Sequence, residues 1–229
     1  MLFLVLGKGR TGSLVAEAAR ERGHGVRVLD LAENRGAASI TAPTLAGVDA
    51  VIDFTNAESA VQNIRAVLSL GGKIVVGTTG WYAQLDELRA KTGRGALLYG
   101  TNFSIGVQKL FRLTAELAKL KGYTFSISET HHTTKLDAPS GTAITLKEIL
   151  EAALREKGVD MEIPVTSHRV GDAHGEHVVT AKSDVDTIEL RHDAESRRGF
   201  ALGAVRAAEW LAHQTKPGTW DFREIFDQL

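Results

Sequence analysis

Cysteine is absent from the 229-residue sequence. Without a thiol there is no disulfide framework, no thiolate metal site and no cysteine nucleophile, which removes aldehyde dehydrogenases that work through a thioester. An excess of charge of either sign is also missing. Lys and Arg total 27 against 28 for Asp and Glu, a formal net charge of -1, so nothing steers the chain toward nucleic acid or an anionic membrane. No run approaches the ~18 apolar residues of a membrane span, and the apolar run Leu2 to Leu6 is too short for the apolar region of a signal peptide. The chain is expected in the cytoplasm, with neither membrane nor nucleic acid as partner. Repeats are lacking too, and at ~150 residues per domain the length allows one large domain or two modest ones. Glycine, by contrast, is abundant: 23 of 229 residues, about a tenth against a usual ~7%.

The first glycines fall where they are most informative. The apolar run Met1 to Leu6 stops at Gly7, Lys8, Gly9, Arg10, Thr11 and Gly12, and residues 13–22 then have the spacing of an amphipathic helix. Residues 26–29 read as a second strand ending in Asp30, 23 residues after Gly7. A strand, a G-x-G-x-x-G turn, a helix and an acid about twenty residues on form the dinucleotide fingerprint, in which glycines admit the pyrophosphate to a helix N-terminus and the acid binds ribose hydroxyls. The competing reading is tight strand–helix packing without a ligand. Two other signatures are missing. No G-x-x-x-x-G-K-[ST] pattern fits Gly7 or Gly71-Gly72-Lys73, and Tyr82, Tyr99 and Tyr123 have Asp86, Phe103 and Ile127 four residues on, where a short-chain dehydrogenase needs lysine.

The same grammar continues with strands at 49–54, 73–76 and 97–99 and a helix at 58–70. Strands alternating with helices imply a parallel sheet that binds ligands at the strand carboxyl ends. Gly77, Thr78, Thr79 and Gly80, and Thr101, Asn102 and Phe103, therefore belong on the same rim as Gly7 to Gly12.

A helix at 105–120 and a strand at 125–128 lead to Glu129-Thr-His-His-Thr-Thr-Lys-Leu-Asp-Ala-Pro-Ser-Gly-Thr-Ala143. His131 and His132 beside Lys135 combine groups of ordinary pKa near ~6.5 with a permanent cation, which suits protonating an anionic substrate. Ser140 suits the N-cap of a helix running to about 155, so N–H groups at Gly141 and Thr142 are candidates to hold a carboxylate. Metal binding is the competing reading of the two histidines; adjacent strand residues point different ways, and Lys135 repels a cation.

This sequence resembles the 4-hydroxy-tetrahydrodipicolinate reductases, also called dihydrodipicolinate reductases. The loop has every fixed position of the family form E-x-H-H-x-x-K-x-D-A-P-S-G-T-A, and Asp53-Phe-Thr, Gly77-Thr-Thr-Gly, Asn102-Phe-Ser-Ile-Gly-Val, Arg169-Val-Gly-Asp and Gly175-Glu-His support it. The resemblance implies His131 as acid/base, Lys135 as proton donor, and His132, Ser140, Gly141 and Thr142 at the substrate carboxylates. It implies Gly7 to Gly12 and Asp30 at the pyrophosphate and adenosine ribose, and Gly77, Thr78, Thr79, Thr101, Asn102 and Phe103 at the nicotinamide end. The implied reaction is hydride transfer from NADH or NADPH to a cyclic dicarboxylic imine formed as water leaves. Asp30 favours NADH modestly, against Lys8, Arg10 and Arg35, which suit the extra phosphate of NADPH. The chain departs from the family in a glycine loop one residue shorter, in Thr101, and in only 22 residues between Asp30 and Asp53.

Strands expected at 165–169, 176–181 and 187–191 alternate like an open mixed sheet with one solvated face, and a helix follows at 201–213. The expected fold is an α/β, Rossmann-like nucleotide-binding domain (1–104 with 203–229) and an α+β substrate and oligomerisation domain (105–202), with a homotetramer implied by the resemblance. His168, His174, His177 and His192 are read as surface or structural, and no metal site is assigned. The rival class is a nucleotide-binding sensor that lost catalysis; a sensor has no need of His131, Lys135 and Ser140-Gly-Thr together.

Overall fold

A computed structural model describes residues 1–229. In chain order it runs β1 (Leu2–Leu6), α1 (Arg10–Glu21), β2 (Gly25–Leu29), α2 (Ala42–Leu45), β3 (Ala50–Asp53), α3 (Ala57–Ser69), β4 (Lys73–Val76), α4 (Leu85–Ala90) and β5 (Ala96–Tyr99). Then come α5 (Ile105–Leu117), β6 (Thr124–His131), α6 (Gly141–Arg155), β7 (Val165–Arg169), β8 (Glu176–Lys182), β9 (Thr187–Asp193), α7 (Arg198–His213), β10 (Gly218–Asp221) and α8 (Phe222–Ile225). The chain divides into two units, residues 1–104 with 198–229 and residues 105–197.

In the first unit six parallel strands lie in the order β10-β5-β4-β3-β1-β2. Every residue of β3 and β5 is buried, Asp53 included, as befits strands covered on both faces. Leu4, Leu6, Val51, Ile64, Ile74, Val76, Trp81 and Leu97 share one core. The chain leaves β1 for β2 on one side and returns to β3 on the other. That reversal is a topological switch point, where the loops after β1 and β3 diverge and leave a crevice.

The second unit is a mixed sheet, β7-β6-β8-β9, in which only β7 runs parallel to its neighbour. Helices α5 and α6 cover one face, where Leu110, Phe111, Leu146 and Leu150 meet Phe125, Ile127, Val179 and Ala181. Strand β6 alternates strictly, with Phe125, Ile127, Glu129 and His131 buried; the opposite face is more open, as expected.

Several boundaries differ from the sequence reading. Strand β6 continues three residues past Ser128, because Glu129 and His131 keep the inward alternation and pair with Ser167 and Arg169 of β7. Helix α5 ends at Leu117 rather than 120. Helix α7 starts at Arg198 rather than 201, so the return to the first unit falls five residues before 203. Arg198 is ion-paired to Glu21 of α1, and Glu209 takes Arg22 Nε at 2.7 Å and His24 Nε2 at 2.7 Å, which fixes α7 on this unit. Strand β10 was not foreseen; it adds a sixth strand beside β5, and Phe222 just beyond it packs on Phe103 with ring centroids 4.5 Å apart. A 3₁₀ turn at Arg35–Ala37 and the short α2, capped by Thr41, fill the abbreviated crossover between β2 and β3.

Candidate active site

At the switch point of the first unit no side chain fits at Gly7 or Gly12, whereas Gly9 has open space. Gly7 has φ +102°, and a Cβ there would lie 2.3 Å from the Phe54 carbonyl oxygen; at Gly12 it would lie 2.1 Å from the Gly7 carbonyl oxygen. The loop therefore closes directly on the backbone after β3, and α1 starts without a side-chain cap at Gly9, leaving its first N–H groups for an anion. Lys8, Gly9 and Arg10 are exposed and Thr11 half-buried. Asp30 sits at the end of β2 as expected, but Lys8 Nζ is bonded to Glu33 Oε2 at 3.0 Å and lies 3.8 Å from Asp30. Glu33 and Asp30 also accept each other's backbone N–H, at 2.9 and 2.8 Å. The lysine expected to offset Asp30 is thus paired with two carboxylates.

Beneath the rim lies Asp53, fully buried. Its carboxylate accepts from Thr55 N (3.0 Å), Thr55 Oγ1 (2.8 Å), Thr78 Oγ1 (2.7 Å) and Asn63 Nδ2 (2.7 Å). Burial pushes its carboxyl up from the ordinary value against the pull of these four bonds. The Thr78 hydroxyl is spent inward on Asp53 and Thr55, and its carbonyl accepts from Trp81 Nε1 at 2.7 Å. Thr78 therefore shapes the Gly77–Gly80 turn, while Thr79 is the exposed residue. A Cβ at Gly77 would strike the Phe54 ring at 2.2 Å. On the next loop Thr101 is half-buried and Asn102 and Phe103 are buried, with Asn102 Oδ1 accepting from Ser104 N at 2.8 Å.

In the second unit a polar row crosses the sheet. Strand register sets Ser167 beside Glu129, Glu129 beside His177 and His177 beside His192. Glu129 is fully buried. It accepts from Ser140 N (3.0 Å), Ser167 Oγ (2.7 Å) and His131 Nε2 (3.2 Å), with His177 Nε2 at 3.7 Å. Burial alone would raise its carboxyl; the bonds from His131, Ser140 and Ser167, with His177 close by, outweigh that and hold it well below the usual carboxylate range. Ser140 caps α6 by accepting from Ala143 N at 3.2 Å, and its hydroxyl lies 3.2 Å from His177 Nε2. Its side chain is therefore occupied, and Gly141, half-buried with open space around it, is the freer group. Thr142 is buried.

The connecting loop carries the cations. Lys135 Nζ is held by Asp137 at 2.7 and 2.8 Å, and Arg169 braces the loop through the carbonyls of Lys135 and Asp137. Arg197 Nη2 lies 3.1 Å from His132 Nε2. Because guanidinium only donates, Nε2 is the acceptor and Nδ1 donates to Thr134 Oγ1 at 2.8 Å. His131 and His132 engage different partners, Glu129 for the first and Thr134 and Arg197 for the second.

Sequence reading left Glu129, His177, Arg169, Arg197 and Glu33 without roles. His168 and His174 are exposed, but His177 is buried inside the cluster and not apart from it. Alternation gave a usable signal: carrying the inward face of β6 past Ile127 lands on Glu129 and His131. The ligand-type atoms of Glu129, His131 and His177 lie within 4.8 Å of one another, yet Ser140 and Ser167 already occupy one Glu129 oxygen and the cationic Arg169 lies 3.9 Å away. The trio is organised by hydrogen bonds.

Known proteins place this arrangement. The N-terminal domain of the dihydrodipicolinate reductases matches residues 1–103 and their C-terminal domain matches residues 106–226. The chain belongs to the dihydrodipicolinate reductase family. A 4-hydroxy-tetrahydrodipicolinate reductase of Christiangramia forsetii is 38% identical, covering 100% of this chain and 99% of its own. One of Natronomonas pharaonis is 36% identical, covering 94% and 96%. A solved dipicolinate-bound dihydrodipicolinate reductase from Paenisporosarcina sp. TG-14 has the same fold, with TM-score 0.77 at 20% identity over 100% of this chain and 99% of its own. The family consists of NAD(P)H-dependent oxidoreductases, and the chain shares that class. Its first unit fits a pyridine nucleotide: glycine at 7 and 12 lets the loop close on its own backbone and on Phe54, and α1 then starts without a side-chain cap, with N–H groups suited to a pyrophosphate.

Proposed function

We propose that the chain reduces 4-hydroxy-tetrahydrodipicolinate to tetrahydrodipicolinate with loss of water, in the cytoplasmic route to diaminopimelate and lysine. The observation that carries this reading is the buried Glu129, which takes His131 at 3.2 Å and Ser140 N at 3.0 Å. One carboxylate thereby fixes both an acid/base group and a helix start suited to a substrate carboxylate.

In this reading Gly7, Gly9, Thr11, Gly12 and the first N–H groups of α1 hold the pyrophosphate, and Asp30 takes the adenosine ribose. Gly77, Thr79 and Thr101 line the nicotinamide end, with Thr78, Asn102 and Phe103 supporting them from beneath. When bound, the reduced nicotinamide supplies the hydride. His131 and Lys135 supply protons, and Asp137 keeps the Lys135 ammonium at the loop. Gly141 and Thr142 N–H groups orient one carboxylate of the substrate, with His132 beside them. The dipicolinate carried by the solved relative is a small heterocyclic dicarboxylate of the kind these groups suit. Both NADH and NADPH serve, with NADH preferred about tenfold. The open face of the β7-β6-β8-β9 sheet supports assembly into a homotetramer.

The test is oxidation of NADH in the presence of product freshly made by a dihydrodipicolinate synthase; the absence of substrate-dependent loss of reduced-nicotinamide absorbance sinks the reading in favour of a sensor. His131→Ala and Lys135→Ala should each lower kcat by ~10²- to 10⁴-fold with NADH binding nearly unchanged.

A further inference from the structure

We propose that Glu129 is a positioning residue that fixes the tautomer of His131, so that Nδ1, on the edge turned to Gly175, is the nitrogen that exchanges a proton with substrate. The inference rests on the reading of His131 as a proton donor and adds which atom acts and what selects it.

The argument begins with hydrogen-bond inventory. An ionised carboxylate accepts and cannot donate, and Glu129 is kept ionised by the groups around it. His131 Nε2, 3.2 Å from Oε2, must therefore carry its hydrogen. In the neutral ring Nδ1 is then bare, and in the imidazolium Nδ1–H is the proton free to leave. The carboxylate itself has no freedom to turn. Ser140 N and Ser167 Oγ hold Oε1 at 3.0 and 2.7 Å, and strand register places Ser167 and His177 on either side of Glu129. The His177 and His131 rings meet edge to face with centroids 5.1 Å apart, which closes one side of the His131 ring.

The Nδ1 edge of the ring faces a glycine, Gly175, whose φ is +139°. A Cβ at residue 175 would come within 3.0 Å of His131 Cε1 and 3.2 Å of Nδ1. With glycine at 175, no side chain presses on the edge that holds Nδ1. In the proton step the Nδ1–H bond breaks, its electron pair stays on the ring, and the imidazolium becomes neutral imidazole. The proton joins the electron pair displaced toward the ring nitrogen of the substrate, and Glu129 stays a carboxylate throughout. Holding the imidazole in one tautomer and one rotamer is how a buried carboxylate assists a catalytic histidine in general.

The experiment is ¹⁵N NMR of full-length protein labelled at histidine, saturated with oxidised nicotinamide nucleotide, with the His131 signals assigned by their loss in His131→Gln. Above neutral pH the wild type should show Nε2–H and bare Nδ1 at His131. Glu129→Gln, whose amide can also donate, should mix or invert the tautomers and lower kcat at least about 100-fold, with nucleotide affinity unchanged. A wild-type His131 protonated at Nδ1 overturns the proposal without any variant, so poor folding of Glu129→Gln does not leave it untested. A folded Glu129→Gln with kcat within twofold of wild type overturns it as well. If instead His131→Gln keeps kcat, the proton-donor reading falls, and the NMR result still reports separately on the Glu129–His131 pairing.

Discussion

The backbone N–H of Ser140 donates to the carboxylate of Glu129 at 3.0 Å, across eleven residues of chain. Glu129 belongs to strand β6 and Ser140 is the N-cap of helix α6, so the bond ties the end of one element to the start of the other. The side chains at the two ends do different work. Glu129 holds His131, whereas Ser140 Oγ satisfies Ala143 N and meets His177. On the proposed roles, chemistry and substrate anchoring depend on one buried cluster but on separable atoms.

Ser140→Ala separates them. It removes the cap and keeps the backbone bond to Glu129. Loss of an N-cap costs ~1 kcal/mol, which in a chain of this size is about 2–4 °C in Tm. The KM for the dicarboxylate should rise several-fold as the first turn of α6 loosens, with kcat changed less than threefold. A large fall in kcat at unchanged KM would show that the hydroxyl acts in the proton step.

Acid should destabilise the fold through His177. Burial pushes this imidazole down from its ordinary 6.5, Glu129 pulls it up, and the positive charges of His131 and Lys135 add to the lowering. In the pH window between 6.5 and the lowered native value, the unfolded chain binds a proton that the folded chain refuses, so stability falls as pH drops. His192, lowered by burial and then by His177, works in the same direction. Glu129, depressed in the folded state, contributes stability above its unfolded pKa of about 4.5 that is lost at still lower pH. Calorimetry should show Tm falling from pH 7.5 to 5, with a shallower slope for His177→Gln; equal slopes would place the titrating group elsewhere.

If Asp30 takes the adenosine ribose as proposed, cofactor choice should turn on Glu33 as well. Lys8 appeared in the sequence as a counterweight to Asp30, yet its ammonium is bonded to Glu33 at 3.0 Å. In the proposed adenosine site, the two acids and one lysine leave net negative charge near the 2′-phosphate of NADPH. Glu33→Gln should therefore release Lys8 and move the NADPH/NADH ratio of kcat/KM several-fold toward NADPH, as should Asp30→Ala. These groups are exposed, so the shift should shrink in ~0.5 M salt. A salt-independent ratio, unmoved in both variants, would remove Asp30 and Glu33 from the adenosine site.

Much of this was legible in the sequence because local rules produced it. The glycines at 7, 9 and 12, the buried runs at 50–53 and 73–76, and Ser140 as a helix cap each follow from neighbours in the chain. The partners of Glu129 did not. Ser167 and His177 reach it only through the register of three strands, and register is a tertiary quantity. Strand β10 was missed for a related reason: four residues after Lys216-Pro217 show no periodicity, and pairing with β5 alone makes them a strand. The place of His177 is hidden for the same reason: His174 lies before β8, and alternation within that strand turns His177 inward toward the cluster.

Two glycines should respond oppositely to substitution. A Cβ at Gly12 would lie 2.1 Å from the Gly7 carbonyl oxygen, a backbone atom that cannot step aside without moving the loop. Gly12→Ala should weaken nucleotide binding at least about tenfold and lower Tm, because overpacked sites typically cost ~1–3 kcal/mol. At Gly141, nothing lies within 4 Å of an added Cβ and the backbone is helical. Valine is a better helix former than glycine by a few tenths of a kcal/mol, so Gly141→Val should leave Tm unchanged or slightly raised. Its two methyl groups would nevertheless stand at the first turn of α6, where the carboxylate of the substrate is proposed to bind. Titration of the variant with dipicolinate should show at least about tenfold weaker binding, and KM should rise with it. An unaltered dipicolinate affinity in a normally folded Gly141→Val would put the carboxylate away from this helix start, and Gly141 and Thr142 would leave the list of binding groups.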